Sequence, residues 1–161
     1  LTRLYTTTNL PAGGDVMEAA VEQDYVKAYR GSFTSMMRWP DLEMFWATLR
    51  AQADDAWYIY AVGEVSPKQP AKKADLLKFI SEVDVLLHRE HDEDYCGIVY
   101  ADSKEAPGFI KIFDPNNLGV SCGFSEKPPL PGWIISRLPP IDLEPTLYPK
   151  NRKHWWQKIF K

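Results

Sequence analysis

Two of the chain's three histidines and one of its two cysteines fall within nine residues, His88-Arg89-Glu90-His91-Asp92-Glu93-Asp94-Tyr95-Cys96. Neutral imidazole, carboxylate and thiolate are the usual ligands of divalent transition metals. His88, His91, Asp92, Asp94 and Cys96 therefore form a candidate metal set, with zinc the first choice. The same groups move protons, and in that reading His91 or Asp92 is the general base while a metal activates water. The spacing fits no specific motif. His88 and His91 are three apart with Glu90 between them, which is neither His-Glu-x-x-His nor His-x-x-Glu-His. The bland alternative is a helix end whose cations suit its dipole, followed by a solvated acidic turn.

A second cluster lies downstream. Gly119-Val-Ser-Cys-Gly123 matches the Gly-x-Ser-x-Gly nucleophile elbow, with Asp142 and His154 following in hydrolase order. That elbow needs a strand before the serine and a helix after it. Here Asp114-Pro-Asn-Asn-Leu118 precedes, and Pro128, Pro129 and Pro131 follow. Cys122 stands as a candidate nucleophile with His91 or His154 as its base, although no helix opens beside it to lower its pKa. The loop 114–123 also offers backbone N–H groups to an anion, without the Gly-Lys-Ser/Thr ending of a P-loop. Asp114 or Cys122 would join the His88–Cys96 cluster if the two segments leave the sheet at the same edge.

Positioning these groups falls to a series of helices and strands. Residues 15–30 read as a helix, with Asp15 and Glu18 in capping-box spacing and Gly31 as the stop. The clearest stripe begins near Pro40, where Leu42, Phe45, Trp46, Leu49 and Ala53 follow helical spacing until Asp54 and Asp55 oppose the dipole. A strand follows at 57–62, ended by Gly63, and then a helix at 71–89 with Leu76, Ile80, Val83 and Leu87 on one face. Residues 95–101 and 108–113 read as a hairpin around a polar loop, which places Cys96 roughly opposite Phe113. Nine of the thirteen prolines lie between Pro107 and Pro149, so an irregular, extended wrap is expected there, with a short edge strand at 133–138.

Composition bounds the rest. A chain of 161 residues with 45% hydrophobic and 25% charged residues is long enough to bury a core. Two cysteines are too few for a disulfide framework, and the first residues show no basic region followed by an apolar one, which together favour the cytoplasm. The chain begins at Leu1 rather than at methionine, which leaves room for an upstream stretch. Its net charge of −3 divides unevenly: residues 150–161 hold five cations and no acid, leaving fourteen cations and twenty-two acids in residues 1–149. Phosphate recognition needs a basic face, so contact with nucleic acid or membrane would have to reside in that tail. There Trp155, Trp156, Ile159 and Phe160 share one helical face that requires cover.

These observations predict an α+β fold: N-terminal helices packed on an antiparallel sheet of three or four strands, then the proline-rich wrap and a short terminal helix. The expected organisation is one domain over 1–149, with 150–161 docked on it or on a partner. The leading expectation for function is a cytoplasmic, non-enzymatic binding or assembly protein, with a protein partner or a second copy of itself. The alternative is a small metal-dependent or acid–base enzyme built on the His88–Cys96 cluster.

Overall fold

The computed structural model describes residues 13–94, 96–117, 130–143 and 150–159. Among them four α-helices and five strands form an α+β fold. These are α1 (Gly13–Tyr29), α2 (Trp39–Ala51), α3 (Lys73–Glu90) and α4 (Lys150–Ile159), with β1 (Thr34–Ser35), β2 (Tyr58–Ala61), β3 (Val99–Ala101), β4 (Phe109–Ile112) and β5 (Trp133–Ser136). The sheet order is β1-β3-β4-β5-β2, and every pair is antiparallel. The expectation of three or four strands thus falls short. The strand missed is β1, whose two residues are too few to show any alternation.

Residues 133–138 also need correction. They were expected to form an edge strand because prolines surround them, yet β5 is interior, paired to β4 on one side and β2 on the other. Proline is excluded only where it would interrupt the ladder. Trp133–Ser136 contains none, and all four side chains are buried. Gly132, just before it, lets the chain pass close to Asp114: a Cβ there would lie 3.3 Å from the Asp114 Cβ.

The β3–β4 hairpin forms with Val99 opposite Ile112, so Phe113 faces Ile98 and donates its N–H to the Ile98 carbonyl at 2.9 Å. That is two residues from the expected Cys96–Phe113 pairing. Gly97, with φ of 56°, takes the left-handed turn that leads the chain from the acidic segment into β3.

The two sheet faces are covered differently. One face presents Ile59, Ala61, Val99, Ala101, Ile110, Ile112, Trp133 and Ile135 to α2, α3 and α4. The α2 stripe buries Leu42, Phe45, Trp46 and Leu49, while α3 buries Leu76, Phe79, Ile80, Val83, Leu86 and Leu87. Ile159 of α4 is buried in the same core. Trp155 lies 5.4 Å, ring to ring, from Trp133, and Trp156 lies 5.9 Å from Phe79. The opposite face carries Tyr60, Phe109 and Ile134, covered by Tyr25 of α1 and by Leu138, Ile141 and Leu143 of the extended segment.

The acidic pair after α2 takes up backbone work. Asp55 accepts the N–H of Lys73 at 2.7 Å and so supplies the cap that Lys72, at the N-cap of α3, does not. Asp54 pairs with Arg137, whose guanidinium lies 4.0 Å over the Trp57 ring and holds the Asp54 carboxyl below its usual range.

Candidate functional site

The candidate residues sit where the C-terminal end of α3 meets the start of α2. These helices run antiparallel, so the last turn of α3 reaches Trp39 at the first turn of α2. The His88 ring stacks on the Trp39 indole with centroids 4.0 Å apart and planes 26° from parallel. One turn earlier on α3, Asp84 places Oδ1 3.5 Å from His88 Nε2 and accepts the Trp46 indole N–H at 3.0 Å. The carboxylate is held by a buried tryptophan and in turn orients the imidazole, the arrangement that fixes ring position. His88 remains 54% exposed.

His91 follows α3 as its C-cap, its N–H bonded to the Leu87 carbonyl at 3.0 Å. Its ring is tilted toward the same indole, with centroids 6.2 Å apart. The Trp39 N–H is donated to the Glu93 carbonyl at 2.7 Å, which pins the acidic turn against the start of α2. Trp39 is therefore the hub of the region, touched by both imidazoles and by the backbone between Asp92 and Asp94.

Asp92 and Asp94 are exposed, whereas Cys96 is 3% exposed and belongs to the core cluster. Burial pushes its thiol above the ordinary range, which disfavours the thiolate that metal binding or nucleophilic attack requires. Among the described residues no three His, Cys, Asp or Glu side chains gather in a geometry that could hold a metal ion. Asp114 lies at the same end of the hairpin, buried, and accepts the Asn116 N–H at 2.9 Å at the start of a short 3-10 turn, Pro115–Asn117. Cys122, Ser121 and the rest of the 118–123 loop lie outside the described residues, as does the side chain of His154. Asp142 accepts the backbone N–H of Ser66 at 2.7 Å and lines a cavity of about 420 Å³ with Ser66, Lys68 and Glu22. The Ser66 bonds and the nearby Lys68 hold its carboxyl below its usual range.

Two further features went unread in the sequence. Lys111 points to the α1 face of the sheet, donates to the carbonyl of Tyr29 at the end of α1, and lies 4.1 Å and 4.0 Å over the Tyr29 and Phe33 rings. Burial pushes its ammonium below the ordinary lysine range. The second feature is Trp39 itself. Its signal was available: an aromatic residue directly before Pro40 at a helix start, outside the apolar stripe that explains the other α2 side chains. Asp84 and His88, four apart on one helix face, were legible in the same way.

Comparison with known proteins returned no matching family model, no matching curated protein and no matching solved structure. Among the described residues no helix is long and apolar enough to cross a membrane.

Proposed function

We propose that this chain is a non-enzymatic binding or assembly protein of the cytoplasm, whose protein partner docks at the Trp39–His88–His91 surface. The observation that carries this reading is the engagement of both imidazoles by one indole on an open surface. Arg38, Arg89, Asp92 and Glu93 are exposed around it, and Met37, 49% exposed, lies two residues before Trp39 in the chain. Tryptophan, methionine and arginine are enriched where proteins bind one another, and aromatic anchors inside a charged rim carry most of the affinity. Contact with nucleic acid or lipid, if any, falls to the cations of α4, since Trp155 and Ile159 are spent on the core.

The test is a photo-crosslinking residue at position 37 in cells producing the full chain. The expected result is a discrete adduct that disappears with Trp39→Ala and weakens with His88→Ala, while Val65→Ser, on a remote exposed site, leaves it unchanged. Absence of an adduct, or one indifferent to Trp39→Ala in a variant that still unfolds cooperatively, rejects the reading.

The contact between Asp84 and His88 favours a second reading, a metal-dependent or acid–base enzyme, because a carboxylate-oriented imidazole is a competent ligand and base. Calorimetric titration with zinc decides it. Stoichiometric binding lost in His88→Ala supports the metal-dependent form of this reading, and no heat removes that form.

A further inference from the structure

The two edges of the sheet are finished differently. At β2 the chain folds back on itself: the Ala71 N–H bonds the Trp57 carbonyl at 2.7 Å and the Glu64 N–H bonds the Ala61 carbonyl at 3.0 Å. At β1 nothing comparable is present among the described residues. The Met36 N–H bonds the Val99 carbonyl at 2.9 Å. Antiparallel ladders alternate inward and outward groups, so the N–H and C=O of Ser35 point away from β3. Edge strands are normally guarded by lysine, proline or a covering loop. The segment Phe33-Thr34-Ser35-Met36-Met37 has no charge and no proline. It leads directly into Met37 and Trp39, and the exposed carboxylates of Asp92, Glu93 and Asp94 stand at that end.

We infer that the partner presents an extended segment that adds to β1 as a sixth, antiparallel strand. Its side chains alternate between the two faces, the apolar ones on one face resting on Met37 and those on the other lying toward Trp39, and a Lys or Arg at its N-terminal end lies beside the Asp92–Glu93–Asp94 turn. This deepens the reading above and rests on it, since it names what the Trp39 surface receives. The occupant follows from chemistry. Outward N–H and C=O groups are satisfied in register only by another extended backbone, with pockets for alternate side chains giving specificity. Antiparallel addition continues the pattern of the whole sheet, and it places the start of the incoming strand next to the end of β1. There the three carboxylates outnumber the two exposed arginines, Arg38 and Arg89, which gives the charge preference. A second copy of this chain would bring its own uncharged Phe33–Met37 segment and no cation nearer to its start than Arg30, so it meets that preference less well.

The experiment displays random eight-residue peptides to the full chain and keeps those whose retention falls at least tenfold on Ser35→Pro. That substitution removes an N–H facing away from β3 and leaves the β1–β3 bonds in place. The expected consensus is a Lys or Arg followed by alternating apolar residues. Because Ser35→Pro could also loosen β1, amide exchange on the unmodified chain supplies a second measurement: the Ser35 N–H should slow at least tenfold when a selected peptide is bound. An acidic or unpatterned consensus, peptides indifferent to Ser35→Pro, or an unprotected Ser35 amide in the complex overturns the proposal. So does a doubling of mass with concentration that Ser35→Pro abolishes, which would assign the edge to a second copy. If Trp39→Ala removes the cellular adduct while Ser35→Pro does not, the binding function stands and strand addition alone fails.

Discussion

The two faces of one sheet solve the burial problem in opposite ways. Under α2, α3 and α4 the covered face is aliphatic and indole, and among the described residues the Trp133 N–H is its one buried side-chain polar atom without a hydrogen-bond partner. Under α1 and the extended segment, the covered face carries hydroxyls and a cation: Tyr25, Tyr60, Ser136 and Lys111. There the Tyr60 oxygen accepts the Leu143 N–H at 2.8 Å, Ser136 donates to the Leu138 carbonyl at 2.7 Å, and Lys111 bonds the end of α1. Three helices supply enough apolar surface to seal a face. One helix and a proline-rich strap do not, so polar groups tie down the second covering directly. Stability should reside in the first face and adjustability in the second.

The largest test of that division uses adjacent residues of one strand. Ile135 points to the three-helix face and Ile134 to the α1 face, and both are fully buried. Truncation of a buried isoleucine costs ~2–5 kcal/mol according to how far the surroundings relax. Denaturant unfolding should place Ile135→Ala near the upper end and Ile134→Ala near the lower. Equal losses would break the comparison.

A smaller effect is expected at Lys111→Met, which keeps the stem and removes the bond to Tyr29. A hydrogen bond from a charged donor contributes ~1.5–3 kcal/mol, and relief from burying the ammonium offsets part of it, for a net loss of about 1 kcal/mol. Hydrogen exchange should show the loss concentrated in α1, with the amides of α2 and α3 unchanged.

The smallest effect near neutral pH belongs to Tyr25→Phe. The Tyr25 hydroxyl is buried with the Ser136 hydroxyl as its polar neighbour, and Ser136 keeps its bond to the Leu138 carbonyl when the phenol oxygen is removed, so the substitution should be close to neutral. At alkaline pH the residue becomes visible. Burial, then the neighbouring Tyr60 and Tyr29, raise the Tyr25 phenol well above its ordinary value of 10.0, and burial also raises Tyr29 and Tyr60. The unfolded chain gives up these protons first. Their contribution to stability is therefore whole below pH ~10 and is lost as pH rises through the folded-state values. Tyr25→Phe should flatten that decline, measured by denaturant unfolding across the alkaline range. An unchanged slope would remove Tyr25 from the account.

Much of the fold could be read from the chain because its signals are local. The stripe of α2, the apolar face of α3 and the β-type runs flanking the 102–107 loop each involve contiguous residues, and each appears where periodicity placed it. What escaped was non-local. β1 exists because β3 offers it a partner, not because Thr34-Ser35 has a strand pattern. β5 is interior because both neighbours arrive from elsewhere in the chain, which no count of flanking prolines could reveal. The candidate site divides the same way. Density of ligand types singled out His88 and His91, but the residue they both meet, Trp39, comes from a helix about fifty residues earlier in the chain and has no metal chemistry to draw attention to it. Cys96 shared the segment by sequence yet turned into the core, because the left-handed turn at Gly97 breaks the alternation and brings Cys96 to the same cluster as Val99 and Ala101.

The position of β5 also bears on the order in which the chain can acquire structure during synthesis. β2 emerges early, but its ladder partner is the last strand made, and β4 stays unpaired on one side until the same moment. Contacts so distant along the chain are slow to form, and the exposed strand edges of the waiting intermediate favour aggregation. A nascent chain stalled before Trp133 would hold β2 and the β3–β4 hairpin as separate pieces, and the pull of folding on the ribosome would be felt only once Ser136 had cleared the exit tunnel.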